Sequence, residues 1–417
     1  MYLAYYLIHY SFISQLKMKK NITYILSLFI FLVFSAMAQK NIDQTKGLEE
    51  LIDFIGNKYA PDKRVEVFRI KGKVIEEGIL LKGETTSEAA YRELIAKASK
   101  ITSNLNDSVR LLPDKTLGDE HWGIINNSVA DLRAKPAYSS EMVTQVLLGM
   151  PVKILEKSGS WRRVQTPEGY IGWMSGSLQT QTREQLNDFL AKPKIIVNKQ
   201  YALSYSEPNK QSQPVSDIVI GNMLPIVEMQ KDFFMIIYPD GREAFVQKQD
   251  AQKAEDWLNE IKLTGESIVE TAKQLMGVPY VWGGTSAKGL DCSGFTKTVY
   301  WLHGIIIARD ASQQVKNGIE IDSTGNFNNA QKGDLVFFGE KATSENPKER
   351  VVHVGIYMGN KEFIHASDYI HINSFDPESP IYDEYNTKRY LRTKRLIGSE
   401  NTPGIESVQH HPFYQPQ

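Results

Sequence analysis

One cysteine in 417 residues, Cys292, means that no intrachain disulfide can hold this chain together. Its stability must come from packed cores. At 41% apolar and 10% aromatic residues the chain has material for them, and its length suits roughly two to four domains. Lys plus Arg is 48 and Asp plus Glu is 49, a balance that gives no reason to expect a nucleic-acid or anionic-membrane partner. A lone thiol is a buried filler, an intermolecular bridge or a reactive group, and the surrounding residues must decide.

The N-terminus has the order of a secretory signal peptide. Lys17, Lys19 and Lys20 precede an apolar run from Ile22 to Phe34, and Ala36-Met37-Ala38 follows as a small-x-small cleavage site. Residues 1–38 are therefore expected to be removed. Met18 offers an alternative start, in which case residues 1–17 are not translated. The run is short for a span of about 20 apolar residues, and no cysteine near the cleavage point offers a lipid anchor. The expectation is an exported protein, periplasmic or secreted, with no membrane attachment after cleavage.

Residues 46–116 mix patterns. Gly47 to Tyr59 reads as a helix with Leu48, Leu51, Ile52 and Ile55 on one stripe. Val65 to Ile70 and Val74 to Leu81 read as strands, and Thr86 to Ser99 as a helix. Residues 121–180 change to short strands with turns between them, closing in Gly169-Tyr170-Ile171-Gly172-Trp173, the spacing of a small β-barrel. A diverged copy runs over 194–252. This order resembles bacterial SH3-like (SH3b) domains, well in the first copy and weakly in the second. Helical connectors are expected at Thr182–Leu190 and Ala251–Ile261. The last domain spans 264–398, and the polar tail 399–417 is expected to be disordered.

In that last domain, Val278-Pro279 breaks any preceding helix and Gly283-Gly284 follows. Asp291-Cys292-Ser293-Gly294 then opens a helical pattern with Phe295, Val299 and Leu302 as its apolar stripe, and Asp291 is typed as the N-cap. The helix start favours a thiolate at Cys292. Downstream, His353, Gly355 and Tyr357 alternate with Val352, Val354, Ile356 and Met358, and His365 lies on the next strand. A loop of odd length, such as Gly359-Asn360-Lys361, puts both histidines on one face; a two-residue loop puts them on opposite faces.

Five segments in order carry a resemblance: Tyr280-Val281-Trp282-Gly283-Gly284, Asp291-Cys292-Ser293-Gly294-Phe295, Lys332-Gly333-Asp334-Leu335-Val336-Phe337-Phe338, His353-Val354-Gly355-Ile356-Tyr357 and Ile364-His365-Ala366-Ser367. Together they resemble the NlpC/P60 family of bacterial cell-wall cysteine peptidases, over about the last third of the chain. The resemblance implies an α+β protein: a papain-like catalytic domain preceded by two small SH3-like β-barrels and a short N-terminal α+β unit. It implies Cys292 as nucleophile, His353 as base, His365 as the residue orienting that base, and Tyr280 near an oxyanion site completed by the Cys292 N–H. Asp334 is read as structural.

The layout is similar to a subgroup that cleaves after γ-D-glutamate in murein peptides with a free N-terminal L-Ala. That similarity implies substrate contacts at Glu141, Tyr170, Asp291, Ser293 and Ser312, with Trp173 left to the barrel core. The expected partner is a murein stem peptide or peptidoglycan, and no metal or organic cofactor is called for. Two alternatives stand beside this reading: a broader hydrolase of the intact wall, and a wall-binding protein whose peptidase domain is idle. Acyl transfer to an acceptor other than water uses the same residues.

Overall fold

A 58-residue helix, Tyr2–Tyr59, opens the computed structural model, which describes residues 2–416. The stretch Met18–Ser35 is apolar and long enough to cross a membrane, and is compatible with a signal peptide. Side chains at 1–17, 22, 36–38, 40 and 41 lie outside the described residues, and the expected cleavage site falls among them. The chain divides into two compact units, residues 1–112 and 113–417.

In the first unit, Leu48, Ile52 and Ile55 pack with Ala90, Leu94 and Ala98 of helix Glu88–Ile101 over one face of a three-stranded sheet. Strand Phe68–Ile75 runs antiparallel to Gly78–Thr85, which pairs in parallel with Leu105–Leu111. Both hairpin strands start later than the alternation predicts. Val65 and Glu66 instead fold back in a turn onto the Asp62 carbonyl, and Glu76-Glu77 closes the hairpin. The third strand has too many polar residues to be recognised from alternation.

The second unit holds two seven-stranded sheets and a six-stranded sheet. Numbered one to seven in chain order, the strands of the two seven-stranded sheets follow the same spatial order, 7-1-4-5-6-2-3. The expected closed barrels do not form. In the first sheet the terminal strands Leu178–Gln181 and Met142–Leu147 do not pair with each other. The edge of Met142–Leu147 turns to the C-terminal domain instead: Thr285 Oγ1 donates to the Gln145 carbonyl at 2.9 Å, and the Thr285 N–H to Gln145 Oε1 at 3.1 Å. In the second sheet the edge strand Pro214–Val219 begins with a proline, which has no N–H to donate. Trp173 lies in the core of the first sheet as expected, with the Arg163 guanidinium over its ring.

The six-stranded sheet is antiparallel, in the order Ile319–Asp322, Tyr390–Arg395, Leu335–Glu340, Arg350–Gly359, Glu362–Ser367, Tyr369–Ser374. Helix Cys292–Trp301 packs on Arg350–Gly359 through a core that includes Phe295, Val299, Leu335, Val354 and Ile356. The single apolar stripe understates this helix, because every residue in it is buried. Its polar positions are satisfied from all sides: Thr296 by Gln314, Thr298 by the Thr285 carbonyl, and Lys297 by Glu168 of the first seven-stranded sheet's domain. Asp334 is structural, as expected, holding Arg395 at 2.7 Å.

The tail corrects its expectation of disorder. Ile405–Ser407 pairs antiparallel with Ile305–Ile307. Beyond it Tyr414 lies against Trp301, and Phe413 meets Trp122 edge-on at 5.1 Å. Its aromatic residues supply burial that overall polarity conceals.

Candidate active site

The nucleophile candidate sits where a proline, two glycines and an N-cap converge. Asp291 Oδ1 accepts the Gly294 N–H at 2.7 Å and starts the helix at Cys292. A side chain at Gly294 would meet the Gly284 carbonyl at 2.0 Å, so only glycine lets the helix start seat there. Gly283 has φ +79° and lies against the Met142 carbonyl of the first seven-stranded sheet.

Cys292 is buried, and its sulfur is approached by the backbone N–H groups of Ser293 and of Val354, the neighbour of His353. The helix start does not leave it ionised. Burial, and then the Asp291 carboxylate, push the thiol up to about 12, against a smaller opposing effect of Arg309. The same carboxylate that caps the helix counters its dipole. Burial also pushes His353 well below its ordinary value. The unliganded thiol and imidazole are therefore both neutral.

The two histidines share one face, through a different device from the expected odd loop. The hairpin turn has two residues, Asn360 and Lys361, both with positive φ, flanked by the pair Gly359 and Glu362. A bulge at Met358, between the Tyr357–Phe363 and Gly359–Glu362 pairs, adds the residue that restores parity. A side chain on Gly355 would come within 3.2 Å of His365 Cβ, so glycine there keeps the space beside His353 open.

His353 Nε2 and His365 Nδ1 are 2.8 Å apart, and His365 Nε2 is 2.8 Å from Asn373 Oδ1. Asn373 is oriented by its own amide, which donates to the Ile381 carbonyl at 3.2 Å. Its oxygen therefore accepts from His365 Nε2–H. His365 Nδ1 then accepts from His353 Nε2–H, and the lone pair of His353 is left on Nδ1. Burial holds His365 down to about 4, keeping it neutral in this chain of donors. Asn373 carries no motif of its own; only the register of Glu362–Ser367 against Tyr369–Ser374 brings it to His365.

Tyr280 is half-buried, its phenol pushed up by burial first and then by a repulsion that a Cys292 thiolate would exert. Arg309 was not singled out by sequence reasoning, although it is fully buried at the centre of the site. It donates to Asp291 Oδ1 at 3.0 Å, to Ser293 Oγ at 3.1 Å and, across the domain boundary, to Thr144 Oγ1 at 2.9 Å. Asp291 Oδ2 also takes the Gly283 N–H at 2.9 Å. The carboxylate and hydroxyl assigned to substrate contact thus hold Arg309 in the unliganded protein.

Glu141, on the exposed side, accepts the Trp282 Nε1–H at 2.8 Å. Tyr170 is buried and donates to Asp310 at 3.3 Å, two residues before the partly exposed Ser312. Both residues from the first seven-stranded sheet's domain therefore reach segments of the catalytic domain next to Cys292 or Arg309. Among the described residues no group of three or more His, Cys, Asp or Glu side chains could hold a metal ion.

A buried cysteine opens a helix that packs on the strand carrying His353, the first member of the histidine relay, an arrangement suited to a cysteine peptidase. The chain belongs to the NlpC/P60 family: residues 277–395 match its family model, and residues 132–177 match the bacterial dipeptidyl-peptidase Sh3 domain. It is 30% identical over 298 residues to the gamma-D-glutamyl-L-lysine dipeptidyl-peptidase of Bacillus cereus, covering 68% of this chain and 86% of that one. It is 29% identical over 268 residues to dipeptidyl-peptidase 6 of Lysinibacillus sphaericus, covering 62% and 93%. The crystal structure of an NlpC/P60 family protein from Bacillus cereus superposes with a TM-score of 0.56 at 26% identity, covering 66% of this chain and 99% of that one.

Proposed function

We propose that this chain is an exported peptidase that hydrolyses the γ-D-Glu–diamino acid bond of murein peptides bearing a free N-terminal L-Ala, as in L-Ala-γ-D-Glu-meso-diaminopimelate. The observation that carries the reading is the relay from Asn373 through His365 to His353, which leaves the lone pair on Nδ1 of the residue preceding Val354, whose N–H meets the Cys292 sulfur.

Cys292 is the nucleophile. As its sulfur attacks the γ-carbonyl, its proton passes to His353 Nδ1, and the resulting imidazolium is stabilised by His365. The oxyanion is met by the Cys292 N–H and the Tyr280 hydroxyl. His353 returns the proton to the departing amine, and water then hydrolyses the thioester. Glu141 is the carboxylate that meets the L-Ala ammonium, since a desolvated ammonium needs an anionic partner and Asp291 is already paired with Arg309. Tyr170 and Ser312 shape the same end, while Asp291 and Ser293 act there by holding Arg309. The second seven-stranded sheet is an SH3-like module that has lost sequence similarity; its strand order, shared with the first, supports this. The apolar N-terminal helix supports export.

The test compares L-Ala-γ-D-Glu-meso-diaminopimelate with its N-acetyl form, using the protein and its Cys292→Ala variant. Cleavage of the free-amine peptide alone, lost on substitution, is the expected result. Equal cleavage of the blocked peptide removes the free-amine requirement, and no cleavage of either removes the activity.

A further inference from the structure

The N-terminal unit is almost neutral but its charge is segregated. Over residues 46–112, twelve Lys and Arg face eleven Asp and Glu. The face of its sheet away from the helices carries Arg69, Lys71 and Lys73 on the first strand, Lys82 and Glu84 on the second and Arg110 on the third. The inward positions of the same strands, Ile70, Ile79 and Leu81, are buried under the helices, so the alternation fixes the outward set. The acidic pair Glu76 and Glu77 occupies the hairpin turn and not the strands.

Two features set this face apart from an ordinary solvated surface. Lys71 lies directly opposite Lys82 in the register, a like-charge cross-strand pair that costs stability. The one carboxylate, Glu84, is held between Arg69 and Arg110. Lys71, Lys73 and Lys82 are exposed and have no carboxylate partner among the described residues. With strands about 4.8 Å apart and alternate residues about 6.8 Å apart along a strand, three unpaired ammonium groups form a compact triangle on a flat surface.

We propose that this face binds intact peptidoglycan as a polycarboxylate, docking the enzyme on the polymer from which its free-amine substrate is released. The proposal rests on the murein reading given above. A stem joined through the γ-carboxyl of D-Glu keeps its α-carboxylate free, and a diaminopimelate residue contributes another, so each repeat adds negative charge. Leu80, opposite Lys73, is the apolar residue among these cations, and the array as a whole complements such a polymer, whose repeating anions exchange small counter-ions for lysines.

The test is co-sedimentation of the full chain with purified sacculi, compared with a Lys71→Gln/Lys73→Gln/Lys82→Gln variant. In parallel, both are assayed for cleavage of soluble L-Ala-γ-D-Glu-meso-diaminopimelate. Expected are pelleting of the parent at about 50 mM salt, release by about 0.5 M, and at least roughly fivefold weaker pelleting of the variant, with soluble-peptide cleavage unchanged. A variant that pellets like the parent overturns the proposal, as does a parent that stays in the supernatant at low salt. Capture by vesicles of about one-third phosphatidylglycerol at a salt concentration that releases the protein from sacculi also overturns it, in favour of a lipid surface. Loss of soluble-peptide cleavage in both proteins sinks the murein reading instead, so the two failures are told apart.

Discussion

At the scale of single residues, the proposed nucleophile Cys292 and base His353 both rest neutral. The thiol at about 12 and the depressed His353 mean that no standing thiolate exists near neutral pH. Alkylation of Cys292 by iodoacetamide at pH 7 is therefore expected to be at least about tenfold slower than that of free cysteine. His365 gives a stability prediction with a definite sign. Its folded value of about 4 lies below the unfolded value near 6.5, so the unfolded chain binds the extra proton first. The contribution is fully present above about pH 6.5. It declines as pH falls toward 4, by about 1.4 kcal/mol per unit at most, and denaturant titrations across that range should record the loss. Replacing the orienting acceptor, Asn373→Ala, should lower kcat about tenfold or more with KM little changed, since it frees the wrong tautomer of His365. An unchanged kcat would remove Asn373 from the relay.

Among the elements, the histidine-bearing hairpin separates what the sequence makes legible from what it does not. Alternation identified both strands and the shared face of His353 and His365, but the loop needed for that face was wrong. A type I′ turn at Asn360-Lys361 plus a bulge at Met358 has the same parity as an odd loop, and parity alone cannot distinguish them. Arg309 was illegible for a related reason: its partners, Thr144 and Asp291, are far apart in sequence and meet only when the edge strand docks. Gly355 makes the hairpin testable. Gly355→Ala sets a methyl at 3.2 Å from His365 Cβ and 3.1 Å from the Ile364 carbonyl. Activity should fall by about tenfold or more for a destabilisation of only about 1–2 kcal/mol, read as kcat/KM against a denaturant melt. A proportionate loss of both would mean simple unfolding.

For the whole molecule, the domains of unit two are joined by buried charge as well as apolar packing. Arg309→Ala leaves Asp291 desolvated and unpaired, at an expected cost of about 3–5 kcal/mol, and Arg309→Lys cannot restore the forked contact to Asp291, Ser293 and Thr144. The ordered tail adds to this. Tyr414→Ala removes a partly buried ring from beside Trp301 and should cost about 1.5–3 kcal/mol in thermal or denaturant unfolding, while leaving the chemistry at Cys292 unaltered in the fully folded protein.

The edge strand Met142–Leu147 gives its unclosed side to Thr285, seats its carbonyl on Gly283 and sends Thr144 to the guanidinium behind Cys292. A fragment cut at the boundaries of the peptidase family match would keep Cys292 and the histidine relay but lose the neighbour that holds the helix start in register. In this protein the accessory module is a wall of the reaction vessel, so recombining such parts between relatives should succeed only when the seam itself is exchanged as one piece.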